Sequence, residues 1–331
     1  MKKIKIICTL GPSSFKRSVL KQLKYEGVNI FRINLSHTNL KDISKKIDYL
    51  KKNNIKNICI DTEGAQLRTT KVKKKQFVKK SSFVKIYNKN RMSNHKNIYL
   101  YPKFNILSLR KKSKINIGFN DLQLEVKKKN ILKRYLFAKV IKPGYLESKK
   151  GVHINHHVSL PSLTEKDKYA LKLAREKNIK YFAVSFANKP NDIIDLKKIV
   201  GKKVFIISKI ETLQAIKNLK KIANQSNALL IDRGDLSRYI PVEKIPIAQD
   251  YIIKLSKKFK KPTYVATNLL ETMVKQILPT RAESNDIHAT LKQGASGLVL
   301  AAETAIGSYP IDSVKFLKRC IYIFKYKRNF F

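Results

Sequence analysis

Short runs of Val, Ile and Leu alternate along this chain with amphipathic stretches of about 10 to 15 residues, the pattern of β/α units feeding a parallel sheet. The apolar runs predict strands at 3–9, 29–35, 57–61, 181–186, 204–209, 228–232, 262–267 and 297–302. Helical periodicity follows at 16–26, 39–53, 165–178, 190–200, 212–224, 244–259, 282–293 and 311–325. Eight strands, each with a helix, predict an α/β fold: a closed (β/α)8 TIM barrel. The helix belonging to the third strand is displaced, because a segment of different character intervenes. There, Phe83–Tyr87, Lys114–Ile117, Leu122–Val126 and Tyr135–Val140 alternate apolar with polar residues, the period of half-buried strands. Residues 1–72 and 148–331 are therefore read as the barrel, and 73–147 as an inserted small, barrel-like β domain. Ser162-Leu-Thr-Glu165 has the form of a capping box restarting the barrel helix.

Composition changes this picture little, and charge changes it more. The 331 residues are 43% hydrophobic, enough for a sizeable core. No stretch approaches the ~20 continuous apolar residues of a membrane span. The basic, then briefly apolar, N-terminus runs straight into Gly11-Pro12 without a signal-peptide body. Cys8, Cys59 and Cys320 show neither paired nor metal-binding spacing. A cytoplasmic protein is expected, with no membrane partner. The formal charge is +48, yet Arg supplies only 12 of the 71 basic residues. The lysines are spread along the whole chain without the aromatic interleaving of single-strand binders. They read as solvated surface that attracts phosphorylated anions, and no specific nucleic-acid partner is expected. His153, His156 and His157 resemble a metal cluster, but no neighbouring Cys or carboxylate completes one.

The chemistry lies where a barrel would place it, at the C-terminal ends of the strands. Polar residues gather there in phase at Thr9–Ser14, Arg32–His37, Asp61–Gly64, Ser185–Phe186, Ser208–Glu211, Asp232–Asp235, Thr267–Asn268 and Glu303–Thr304. Any one of these is ordinary loop chemistry, but eight together argue for a site. Glu211 and Asp235 end adjacent strands and can share a hard divalent cation, Mg2+ or Mn2+. Lys209 and Glu211 lie two apart on a strand and so face the same way, and a lysine beside a metal suits stabilisation of a moving phosphoryl group. Arg32 and Arg68 add bidentate anion donors. Gly234 and Asp235 open a short helical turn whose N–H groups suit a carboxylate. Asn34, Ser36, Asp61 and Thr62 offer four oxygen-bearing side chains to a monovalent cation, and Thr267 offers a hydroxyl for proton relay.

These segments resemble the pyruvate kinase family over nearly the whole chain. The motifs stand in family order: Lys5-Ile-Ile-Cys-Thr-Leu-Gly-Pro12, Arg32-Ile-Asn-Leu-Ser-His37, Asp61-Thr-Glu-Gly-Ala-Gln-Leu-Arg-Thr69, Ile207-Ser-Lys-Ile-Glu211, Asp232-Arg-Gly-Asp-Leu-Ser237, Ala266-Thr-Asn-Leu-Leu270, Pro279-Thr-Arg-Ala-Glu283 and Gly307-Ser-Tyr-Pro310. The resemblance implies transfer of phosphate from phosphoenolpyruvate to ADP, giving pyruvate and ATP. It implies Lys209 on the phosphoryl group, Glu211 and Asp235 on Mg2+, and Arg32 and Arg68 on phosphates. His37, Gly234, Asp235 and Thr267 join the substrate and nucleotide set, and Thr267 lies near the carbon to be protonated. K+ would take Asn34, Ser36, Asp61 and the carbonyl of Thr62. The insert would be a lid domain, the barrel could support a homo-oligomer, and the family's C-terminal regulatory domain is expected to be absent. Several positions depart from the pattern: Glu63 for Lys, Ala65 for Pro, Gln66 for Glu, Asp232 for Ala, Ala301-Ala302 for Ser-Gly, and Asn120-Asp121-Leu122 for Asp-Asp-Gly. Gln66 weakens the expectation of K+ dependence. Asp232 adds negative charge beside the expected carboxylate pocket, which keeps open a related phosphoenolpyruvate or pyruvate substrate, or a non-catalytic binding role.

Overall fold

The computed structural model describes residues 4–64, 66–118, 121–156, 158 and 160–326. Ala65, Asn120 and His157 lie outside the described residues. The chain forms two compact units, one of residues 1–64 and 165–331, the other of residues 65–164.

In the first unit eight parallel strands close into a barrel: β1 (Lys5–Thr9), β2 (Ile30–Asn34), β3 (Ile58–Asp61), β4 (Tyr181–Val184), β5 (Phe205–Ile210), β6 (Ala228–Asp232), β7 (Thr263–Ala266) and β8 (Gly297–Leu300). Each strand pairs with its chain neighbour, and β8 pairs with β1, as the eight apolar runs predict. Alternate residues point inward and fill the centre with Ile7, Ile30, Cys59, Ala183, Ile207, Ala228, Leu230, Tyr264, Ala266 and Val299. Their burial leaves no pore. The same parity carries Lys209 and Glu211 inward at the end of β5. Gly297 opens β8 where only a glycine fits, since a Cβ there would stand 2.7 Å from the carbonyl of Lys5.

The helices follow the amphipathic stretches, with two differences. The segment 212–224 is two helices, Leu213–Lys217 and Leu219–Gln225. Asn218 breaks it at φ −97°, ψ 12°, with its side-chain amide donating to Asn188 O at 2.6 Å. The helix after the second unit begins at Glu165, so Ser162 lies three residues ahead of its first turn rather than at its cap. A different device ties it to the barrel. Asp167, wholly buried, accepts from Glu63 N at 2.7 Å and Gly64 N at 3.1 Å, stitching the end of β3 to the helix.

The second unit is a mostly antiparallel sheet. Its order is Val152–Ile154, Lys114–Ile117, Leu122–Asn130, Tyr135–Lys142, Phe83–Tyr87, Asn97–Tyr101, Arg68–Thr69, and a bridge from Arg68 to Gly151 joins its two ends. The alternating residues Val84, Ile86, Ile115, Ile117, Leu122, Leu124, Leu136 and Ala138 fill its core. The unit reaches past 73 and 147 on both sides because Arg68–Thr69 and Val152–Ile154 are strands of this sheet. Each is only two or three residues long, too short to show a period. Among the described residues no helix is long and apolar enough to cross a membrane.

Removing the Asp167 carboxylate leaves two buried N–H groups without their acceptor. Asp167→Ala should cost about 2 to 4 kcal/mol, read as a lower urea midpoint at unchanged slope. An unchanged midpoint would show that the stitch contributes nothing.

Candidate active site

The inward ends of β2, β3, β5 and β6 assemble one buried ionic cluster. Lys209 is 5% exposed, and its Nζ lies 2.8 Å from Glu211 Oε1, 3.4 Å from Asp232 Oδ2 and 3.6 Å from Asp61 Oδ2. It also donates to Ser185 Oγ at 3.2 Å, and Ser185 Oγ in turn donates to Asp61 Oδ1 at 3.2 Å. Arg32 enters from β2, with Nη1 3.2 Å from Asp61 Oδ2 and Nε donating to Thr9 Oγ1 at 2.9 Å. Thr9 passes the contact to Leu300 O at 3.0 Å, so β1, β2, β3 and β8 share one network. Glu211 is held from its other side by Phe186 N at 2.5 Å.

Backbone strain marks the same rim. Phe186 has φ 52°, Thr267 φ 70° and Asn268 φ 55°, the left-handed region that a β-branched threonine rarely enters. These turns end β4 at Val184 and β7 at Ala266, two residues and one residue short of the predicted strands. They also aim useful atoms. Phe186 N meets Glu211, while Thr267 Oγ1 accepts from Gly234 N at 2.9 Å and faces Ala266 O at 2.5 Å and Asp232 Oδ1 at 3.4 Å. Arg233 braces the turn, donating from Nε to Thr267 O at 3.0 Å and from Nη1 to both oxygens of Asp286. The helical turn Arg233–Leu236 forms after β6 as expected. Its N–H groups are not open, however: Gly234 N is taken by Thr267, and Asp235 N reaches Asp232 Oδ1 at 3.5 Å.

Burial sets the electrostatics. It pushes the Lys209 ammonium down, but Asp61, Glu211 and Asp232 outweigh it and hold the lysine charged, above its ordinary range. Burial also pushes Glu211 up to about 8, and the neighbouring charges of Asp235 and Asp232 hold it up against Lys209. Asp232 is pushed up by burial too, but Lys209 and Arg32 overcome this and leave it below its ordinary value. Tyr239 is pushed up to about 12 by burial and then by Asp235 and Glu211.

This donor set fits a hard divalent cation. Glu211, Asp232 and Asp235 each present a carboxylate oxygen, all within 4.8 Å of one another, the one such group among the described residues. Glu211 is fully buried, with Oε1 ion-paired to Lys209 Nζ at 2.8 Å, so the carboxylate is fixed in direction beside Asp232 and Asp235. The monovalent set fits less well. Asn34 and Asp61 are partners across β2 and β3, but Asn34 Oδ1 caps Ser36 N at 2.9 Å and Thr62 Oγ1 accepts from Ser185 N at 2.9 Å. His37 is exposed at the end of a single turn, Leu35–His37. Arg68 belongs to the second unit, where its Nη1 donates to Lys149 O at 3.3 Å. Three participants went unassigned from sequence. Asp232 was read only as a charge penalty, Ser185 only as a polar strand end, and Tyr239 gave no signal, lying outside every motif.

A raised carboxyl favours the folded state while it keeps its proton. The Glu211 contribution is whole below the ordinary 4.5 and is lost as pH rises through about 8. Asp232 has the opposite sign and acts only as pH falls below its ordinary 3.8, and Lys209 acts only above 10.5. With chelator present, wild-type stability should therefore fall by a few kcal/mol between pH 5.5 and 8.5 relative to Glu211→Gln. Urea unfolding across that range checks it, and a constant difference would mean that Glu211 is ionised throughout.

The family model described as pyruvate kinase, barrel domain, matches residues 1–314. A pyruvate kinase of Thermotoga maritima is 34% identical over 346 residues, covering 100% of this chain and 73% of its own length. Pyruvate kinases of Staphylococcus epidermidis and Staphylococcus aureus are each 30% identical, covering 96% of this chain. The chain spans 56% of the length of those two staphylococcal proteins. With the barrel closed and Arg32, Asp61, Lys209, Glu211 and Asp232 gathered at its rim, the chain belongs to the pyruvate kinase family.

Proposed function

We propose that the barrel transfers phosphate from phosphoenolpyruvate to ADP, forming pyruvate and ATP, with Mg2+ or Mn2+ bound by Glu211 and Asp235. The observation that carries this is Lys209, buried, charged and 2.8 Å from Glu211. A buried cation fixed beside a divalent-metal site meets the developing charge of a phosphoryl group without reorganising. The metal, when bound, neutralises substrate oxygens. Arg32, held by Thr9 and Asp61, would serve as a phosphate donor; the phosphate role of Arg68 and the nucleotide role of His37 rest on the family resemblance alone. Gly234 and Asp235 would line the substrate side of the turn after β6, where Gly234 N would reach the acid only by giving up its bond to Thr267 Oγ1. Thr267 sits where a hydroxyl can pass a proton to the enolate, since its Oγ1 already bridges Gly234 N and the Asp232 carboxylate. Asn34, Ser36, Asp61 and the carbonyl of Thr62 would host K+ weakly, because Asn34 Oδ1 already accepts from Ser36 N and the Asp61 oxygens face Ser185, Arg32 and Lys209.

One observation favours a second reading. Asp232 brings a carboxylate to the place where the substrate's own carboxylate is expected, which suits an altered pyruvate-type substrate. Measuring transfer to ADP beside exchange of the pyruvate methyl protons with deuterated solvent separates the readings. Lys209→Met should slow transfer by roughly a hundredfold or more while leaving much of the exchange. Thr267→Ala should slow exchange at least as strongly as transfer. Exchange without transfer in the wild type would favour the altered substrate, and neither reaction would favour a binding role.

The committed oxygens of Asn34 and Asp61, with Gln66 in place of a carboxylate, lead to a further expectation. Activity at constant ionic strength should change little when K+ replaces a large organic cation. A steep, saturable rise with K+ would contradict it.

A further inference from the structure

Asp232 stands where the resembling motif has alanine, and its carboxylate is held by long contacts only. Its Oδ1 contacts are long, 3.5 Å from Asp235 N and 3.4 Å from Thr267 Oγ1, at the edge of hydrogen bonding. Its Oδ2 meets Lys209 at 3.4 Å, but that lysine lies closer to Glu211, at 2.8 Å. Arg32 is spent on Asp61 at 3.2 Å, and Arg238 lies 3.4 Å from Asp235. One lysine thus serves both Glu211 and Asp232, with Glu211 0% and Asp232 6% exposed. Carboxylates that converge in a buried site are best satisfied by a cation placed among them. The oxygens of Glu211, Asp232 and Asp235 converge within 4.8 Å, with Glu211 Oε1 facing Lys209 Nζ at 2.8 Å and Oε2 accepting from Phe186 N.

We infer that Asp232 is a third protein ligand of the divalent cation, so that this barrel holds the ion before any phosphorylated substrate arrives. The inference rests on the metal site proposed above and deepens it. Two carboxylates leave most of an octahedral Mg2+ shell to substrate oxygens and waters, whereas a third would bring the protein's share to about half. In this arrangement Asp232 also keeps its contact with Thr267, which places that hydroxyl beside the metal site.

Mn2+ binding to the full chain, without substrate, tests this through the EPR signal of the free ion and the relaxation of water protons by the bound one. Asp232→Asn keeps the shape of the turn, and Asp232→Ala restores the motif residue. Both should weaken Mn2+ at least about tenfold, and the ion that remains bound at higher concentration should relax water more strongly, because water replaces the lost ligand. Circular dichroism should show both variants folded. If both bind Mn2+ like the wild type while Glu211→Gln and Asp235→Asn lose it, Asp232 is no ligand and the two-carboxylate site stands. Weakened binding without extra coordinated water would also overturn the inference, assigning Asp232 to support of the turn alone. If the wild type binds no Mn2+, the metal site itself falls, and this inference with it.

Discussion

A lysine ammonium cannot be buried at the rim of a barrel unless carboxylates are buried with it, and the site follows from that requirement. Lys209 is held by Glu211, Asp232 and Asp61, which come from three strands, and Arg32 from a fourth secures Asp61. Each charge is tolerable only while the others stay in place, because an ion left without its partner in a low dielectric costs several kcal/mol. Parallel closure of eight strands with fixed side-chain parity makes this possible. It brings inward ends together from segments that are remote in sequence, as with the 177 positions that separate Arg32 from Lys209.

Precision at the rim comes from residues that are unfavourable by themselves. Thr267 and Phe186 sit at positive φ, a local cost that surrounding contacts must offset. Arg233, fastened to Asp286 and to Thr267 O, supplies part of that support. The outcome is a hydroxyl and a backbone N–H fixed in direction, Thr267 Oγ1 toward Asp232 and Phe186 N toward Glu211. Stability and the site's geometry therefore share the same hydrogen bonds here.

Much of this was legible in the sequence because it depends on short-range period. The eight apolar runs gave the barrel strands to within about two residues, as such patterns do when strands are fully buried. The spacing of Lys209 and Glu211 placed both on one face. What escaped depends on contacts across the fold. The positive φ of Thr267 and Phe186 has no local signature, since neither is a glycine or asparagine. Asn218 divides a continuous helical pattern by bonding to Asn188. The two- and three-residue strands at Arg68 and Val152 draw their stability from partners about 30 to 80 positions away, so the limits of the second unit could not be read from the pattern. Asp232 was visible, but its meaning was not: as an isolated substitution it is a repulsive charge, whereas beside Lys209 it is one wall of a cage.

The relatives establish the family, while the proposed chemistry rests on the cage around Lys209 acting as a phosphoryl-transfer centre. Phosphorus NMR of the full chain with phosphoenolpyruvate, ADP and Mg2+ tests that centre most directly. The predicted result is loss of the phosphoenolpyruvate resonance with matching growth of the ATP γ-phosphate, stopped by a chelator and restored by the metal. A phosphoenolpyruvate signal that persists unchanged, in protein shown to be folded and to bind Mn2+, would contradict it.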